Sequence, residues 1–183
     1  MTEAPDRDVV RARALVEEAC KKSAMLWLRE EAAGRDGRSY ATWHVWIDGA
    51  ALVVSGGVEQ QVPVLADVAD GARLVATVRS KDTGGRLVAW VGTVRRVSPG
   101  DPAWETVVPD LHAKRLNAPD GEAQPARWAR ESVVHRIEPT GELLETSGNP
   151  STGSHAAEPP SSPATTRGKL PFVIGKRAKR RRR

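Results

Sequence analysis

Three consecutive residues, Arg79, Ser80 and Lys81, bring two cations and a hydroxyl to one point of the chain. That combination suits a phosphate, because an arginine fork binds two oxygens at once and a lysine adds a compact charge. The same residues also make an ordinary turn, polar because it faces water. A second anion candidate is Ser55-Gly56-Gly57, a hydroxyl followed by two residues able to present backbone N–H groups. Glu59 lies close behind and adds the opposite charge. Trp46 and Trp90 are flat apolar side chains that could wall a ring-shaped ligand, or simply fill a core. His44 could move a proton, although no carboxylate sits beside it in sequence to orient it. Cys20, His112 and His135 are not at metal-ligand spacing, and there is no Gly-Lys-Ser/Thr phosphate loop and no dinucleotide glycine pattern.

These residues need a scaffold, and the sequence offers paired hairpins. Thr42–Ile47 alternates, with Trp43, Val45 and Ile47 on one side and Thr42, His44 and Trp46 on the other. Asp48-Gly49 follows, then the apolar run Ala50–Ser55, which together read as a type I′ hairpin. A second pair is Ala72–Ser80 and Arg86–Val97, joined by a turn over 81–85. Ala72, Leu74, Ala76 and Val78 share one face of the first strand of that pair, whereas Leu87–Val91 is apolar on both faces and reads as central. Asp8–Ala33 reads as an amphipathic helix that carries Cys20 and Trp27 on its apolar stripe and stops at Gly34. Val62–Asp70 is expected to hold a short helical turn, and Asp101-Pro102 to start a helix that Pro109 breaks or restarts. Pro125–Glu131 reads as one helical turn and Ser132–Ile137 as a last strand. The packed domain is expected over 9–138, after a flexible 1–8, with a disordered tail over 139–183 that is rich in Pro, Ser, Thr and Gly.

The chain has 183 residues, of which 39% are hydrophobic, enough for one modest core. One cysteine excludes an internal disulfide framework. No apolar run approaches the ~20 residues of a membrane helix, and the acidic start has no signal-peptide core. A cytoplasmic protein with no membrane partner is the expectation.

The order of elements resembles the pyridoxamine 5′-phosphate oxidase-like split barrels, which bind FMN or a deazaflavin. The resemblance covers about residues 10–138. It is carried by Val45-Trp46-Ile47-Asp48-Gly49-Ala50-Ala51-Leu52-Val53-Val54-Ser55 and by Leu87-Val88-Ala89-Trp90-Val91-Gly92-Thr93-Val94, apolar patterns with modest specificity. It implies a mainly β (β+α) split barrel, a homodimer with flavins at the subunit interface, and an oxidoreductase. It also implies a phosphate grip in the loop after the hairpin's second strand, here Ser55–Gln61, which contains no Arg or Lys. On this reading Ser55, Gly56, Gly57, Arg79, Ser80 and Lys81 hold the phosphate of FMN or a deazaflavin, and Trp46 or Trp90 walls the ring. The alternative is a non-enzymatic dimeric scaffold that binds nucleic acid through its tail.

The net charge of +5 hides a division. Residues 167–183 hold nine Lys or Arg and no acid, which leaves 19 basic and 23 acidic residues, a net −4, for the remainder. The run Lys176, Arg177, Lys179, Arg180, Arg181, Arg182 and Arg183 is expected to attract nucleic acid weakly and without sequence preference, since no aromatic is interleaved for stacking. Removing Arg167–Arg183 is expected to abolish retention on DNA or RNA at low salt. Chromatography on immobilised nucleic acid checks this, and unchanged retention rules the tail out.

Overall fold

The computed structural model describes residues 7–34, 37–116 and 118–146. The expected nucleic-acid tail, Lys176 to Arg183, lies outside them. Helix α1 (Arg7–Lys22) is followed by β1 (Met25–Glu30), β2 (Tyr40–Trp43), β3 (Val45–Ile47), β4 (Ala50–Ser55), α2 (Pro63–Ala66), β5 (Arg73–Arg79), β6 (Arg86–Val97), α3 (Pro102–Lys114), a 3-10 turn (Gly121–Ala123), α4 (Gln124–Glu131) and β7 (Val133–Thr146). All strand pairings are antiparallel, in one seven-stranded sheet ordered β2-β1-β5-β6-β7-β4-β3. The edge strands β2 and β3 are consecutive in the chain, with only His44 between them. The sheet therefore curls until its edges meet, giving a split barrel of the β+α class. Among the described residues no helix is long and apolar enough to cross a membrane.

The type I′ hairpin forms as expected. Asp48 and Gly49 have φ of 45° and 74°, and Val45 pairs with Leu52. The strand that is apolar on both faces, β6, is the fourth of seven and so lies at the centre. The inner face of the sheet closes over Leu26, Leu28, Val53, Ala76, Val78, Val88 and Trp90, with Val16, Ala19 and Cys20 of α1 packed into the curl. Outside, α3 and α4 lay Trp104, Leu111 and Trp128 over Val45, Ile47, Leu52 and Val54.

Four expectations are corrected. The first helix ends at Lys22, and Met25–Glu30 is β1 rather than more helix. Leu26 and Leu28 alternate with Trp27 and Arg29, and that two-residue period lets β1 pair with β5 while Leu26 and Leu28 face the core. Thr42–Ile47 is not a single strand: β2 pairs with β1, β3 pairs with β4, and between them the His44 N–H turns to the Ala24 carbonyl (3.2 Å). Helix α3 runs through Pro109, since burying Trp104, Val107, Val108 and Leu111 outweighs the lost hydrogen bond. The last strand continues past the expected boundary at 138 to Thr146, bent by register shifts against Ala89–Gly92. Gly141 (φ +98°) makes room there for α1, because a Cβ would lie 2.8 Å from Val9 Cγ1.

Gly92 governs the centre of the sheet. A Cβ on it would lie 2.5 Å from Trp90 Cζ3 and 2.7 Å from Ile137 Cγ2. Gly92→Ala is expected to destabilise the protein by about 1–3 kcal/mol through overpacking, read as a lowered urea midpoint. An unchanged midpoint would show that the Trp90 ring moves freely.

Candidate functional site

The structure separates the two halves of the expected phosphate grip. Ser55 pairs with Val133 at one end of β7, and the adjacent Val134 pairs with Val97 at the C-terminal end of β6. Arg79 pairs with Arg86, at the N-terminal end of β6. Along β6 that is about 35 Å of strand at ~3.3 Å per residue. Within one chain, Ser55, Gly56 and Gly57 line neither the cleft of Arg79 nor that of Lys81.

The loop after Ser55 is occupied with its own structure. Ser55 is buried, with Oγ 3.5 Å from His135 Nδ1. Gly56 and Gly57 have φ of +90° and +61°, and a Cβ on Gly57 would lie 2.7 Å from the Glu131 carbonyl oxygen. The Gly56 N–H donates to Gln60 O (3.4 Å) and the Glu59 N–H to Gly56 O (3.0 Å), while Ser132 Oγ donates to Gly56 O (3.1 Å). Glu59 turns inward. Arg115 Nη2 lies 2.7 Å from its Oε2, and Trp128 Nε1 (2.9 Å) and Arg127 Nη2 (3.1 Å) donate to its Oε1. Arg127 also holds Asp120, with Nε 2.7 Å from Oδ2. Burial by itself would raise the Glu59 carboxyl, but the hydrogen bonds of Trp128 and Arg127 and the charge of Arg115 hold it below its ordinary value. The loop after β4 is thus a tether between sheet and helices, built around an internal anion.

The other expected site residues scatter. Ser80 Oγ accepts the N–H groups of Asp82 (3.2 Å) and Thr83 (3.3 Å), so it closes the turn. Lys81 lines a cleft beside Trp43 and Trp46, away from Arg79. Trp46 is half-buried and meets Trp90 edge-on, centroids 6.5 Å apart. Trp90 is 0% exposed and fills the inside of the curl. It cannot wall a ligand, because the sheet closes around it.

Arg79 does belong to a cleft, on the outer face of β1, β5 and β6, with a volume of about 220 Å³. The strand register sets its floor: Trp27 lies opposite Thr77, Thr77 opposite Ala89, and Ala89 opposite Glu145. Val75 and Leu144 complete the apolar part. The Arg79 guanidinium sits 4.9 Å from the centroid of the Trp27 ring. Arg29 and Arg86 also line the cleft, Arg86 with its Nε 2.9 Å from Glu145 Oε2. Three guanidinium groups, one indole and an apolar floor can hold a flat molecule that ends in an anion. Trp27 and Arg29 were missed from the sequence because Asp8–Ala33 read as one helix, and Arg86 because it read only as the first residue of a strand. The signal was there in the Leu26-Trp27-Leu28-Arg29 alternation after Ser23.

Cys20, His44 and His135 are held in their neutral forms by burial. Burial pushes the Cys20 thiol up to about 12 and His44 down to about 4. Burial, helped by the charge of Arg96, also lowers His135 to about 4. His44 is therefore neutral and enclosed, which does not suit proton transfer to a ligand. Among the described residues no three of His, Cys, Asp and Glu are placed to bind a metal.

No family model matches the chain, and no curated protein is significantly similar to it. Solved structures share the outline of the fold. The heme storage protein HutZ from Vibrio cholerae is 14% identical with a TM-score of 0.49, covering 70% of this chain and 90% of its own. The general stress FMN/FAD binding protein from Xanthomonas citri is 12% identical with a TM-score of 0.48, covering 91% of this chain and 99% of its own. A Clostridium acetobutylicum protein related to general stress protein 26, of the pyridoxinephosphate oxidase family, is 10% identical with a TM-score of 0.42, covering 72% and 82%. The curled seven-stranded antiparallel sheet with its flanking helices is a split barrel of the β+α class.

The two buried histidines have folded-state values near 4, below the ordinary 6.5. As pH falls the unfolded chain takes up protons first, so stability is full above about pH 6.5 and declines toward pH 4. By pH 5 the loss is about 2 kcal/mol per histidine. Urea midpoints at pH 7.5, 6 and 5 should fall in that order, and a flat profile would mean that these rings are solvated.

Proposed function

We propose that this chain is a flavin-type cofactor-binding split barrel and that the cofactor, FMN or a deazaflavin, occupies the cleft on the outer face of β1, β5 and β6. The observation that carries this reading is the Arg79–Trp27 stack beside Arg29 and Arg86, set over the apolar row of Val75, Ala89 and Leu144. Arg29, Arg79 and Arg86 suit a phosphate, since guanidinium forks bind its oxygens in pairs. Trp27 offers an edge or face to a conjugated ring, and the buried Val75 and Ala89 keep water from the floor. A bound flavin or deazaflavin would supply hydride transfer, and the protein's part is to bind, orient and dry the ring. Heme fits less well, because none of His44, His112 and His135 lines the cleft to ligate iron.

The cleft is smaller than the ~300–1,000 Å³ usual for cofactor-sized ligands. Among the described residues no helix packs over this part of the sheet, whereas α3 and α4 cover the β3–β4 part. Both points favour a homodimer in which a second copy completes the site, with oxidoreductase activity as the reaction class.

Protein purified and titrated with FMN, then with a deazaflavin, should take up one of them and gain its visible absorbance. Arg79→Ala should weaken that uptake roughly tenfold, the worth of one charged hydrogen-bonding group. A colourless protein that takes up neither, or uptake indifferent to Arg79→Ala, overturns the assignment.

A further inference from the structure

At the opposite end of β5 from Arg79, a groove of about 470 Å³ lies between α2, with the turn that follows it, and the adjoining ends of β1 and β5. Its floor is apolar: Leu74 is buried in the core, and Val68 and Ala72 pack against that core while staying half-exposed in the groove. Its rim is acidic. Glu30, Glu31 and Asp67 stand around the floor, and the cation among the lining residues, Arg73, is already held by Glu31 (2.6 Å) and Glu142 (2.7 Å). Glu30 and Asp67 are exposed and have no ion-pair partner among the described residues. Four carboxylates thus face one guanidinium, which leaves a negative potential over the groove. An apolar floor with an acidic rim fits a ligand that is apolar and cationic within one short stretch.

The chain itself supplies such a stretch. Leu170-Pro171-Phe172-Val173-Ile174 runs through Gly175 into Lys176, Arg177, Lys179 and Arg180–Arg183, and no acid follows Glu158. Residues 147–168 contain no Leu, Ile, Val, Met or aromatic residue, and Phe172 is the only phenylalanine of the chain, so this apolar block stands apart. A polyanion would engage the cations and leave the block in water, at a cost that an apolar surface removes. The groove is also within reach. Thr146 pairs with Val88 and Val88 with Val78, so Thr146 lies two strands from β5 and four residues along it from Leu74. That is roughly 15–20 Å at ~3.3 Å per residue and ~4.8 Å per strand. Residues 147–169, between Thr146 and Leu170, can span up to about 75 Å.

We propose that Leu170–Arg183 of this same chain docks in the groove, with the Leu170–Ile174 block on the apolar floor and the basic run against Glu30, Glu31 and Asp67. The barrel then competes with nucleic acid for its own tail. This goes beyond the flavin reading, and the groove shares only Glu31 with the Arg79 cleft.

Carbodiimide coupling of carboxylates to lysines in the full chain, read by mass spectrometry, tests the proposal. At low salt Lys169, Lys176 or Lys179 should join Glu30 or Asp67 in a species of monomer mass, and added salt should reduce the yield. Phe172→Ala should speed tryptic cleavage within 167–183 by up to about tenfold, the worth of one buried aromatic side chain. Glu30→Gln combined with Asp67→Asn should speed it too, whereas Glu105→Gln combined with Asp110→Asn, on the exposed side of α3, should leave it unchanged. All four carboxylates are exposed, so these variants should keep the far-ultraviolet circular dichroism of the parent. The proposal is overturned if the tail lysines join Glu105 or Asp110 as readily, or if Phe172→Ala leaves cleavage unchanged. It is equally overturned if the cross-links occur only at twice the monomer mass, which assigns the groove to a second copy.

Discussion

The packing of the Trp90 indole against Gly92 and Ile137 is the constraint from which most of this structure follows. A sheet that curls through seven strands leaves an interior too narrow for several large side chains and too wide for none. Trp90, fully buried, fills it together with small and branched residues from β1, β4 and β5 and with Cys20 from α1. The ring is admitted because residue 92 has no Cβ. β6 carries this pair at the middle of the sheet, so every other strand is positioned relative to it. Native packing density explains why a single methyl group at residue 92 matters.

With the inner face closed, function falls to the outer one, which the structure divides. Over β3, β4 and part of β7 it is sealed by α3 and α4. Glu59 secures that seal, reaching from the loop after β4 to Arg115 beyond α3 and to Arg127 and Trp128 on α4. Removing one partner from such a buried set typically costs about 3–5 kcal/mol, since it strands the opposing charge. Over β1, β5 and β6 no helix among the described residues covers the outer face, and its arginines, indole and small apolar residues define the Arg79 cleft. One sheet thus carries a structural anion at one end and a cationic recess at the other.

Much of this was legible in residue order. The Asp48-Gly49 hairpin and the central position of β6 follow from turn chemistry and a two-residue period, which are local properties. The errors share a cause. Met25–Glu30 continued an apolar helical stripe closely enough to hide β1, and with it Trp27 and Arg29. The Pro, Ser, Thr and Gly content after 138 read as the start of a tail, although the chain there continues β7 to Thr146 and Gly141 makes room for α1, and so Glu145 and Leu144 went unseen. Glu59 read as a charge that repels phosphate, because its partners lie more than fifty residues away in sequence.

By itself, then, the chain determined its strand periods, its tight turn and the +9 charge of residues 167–183, because each depends on neighbours a few residues apart. Which cations share a cleft was decided only by tertiary structure. Arg79 and Lys81 are two residues apart yet line different recesses, whereas Arg79 and Trp27, fifty-two positions apart, are stacked. The physical reason is the sheet itself. Register across strands sets who meets whom, and register is fixed by burial of the whole inner face rather than by any short segment.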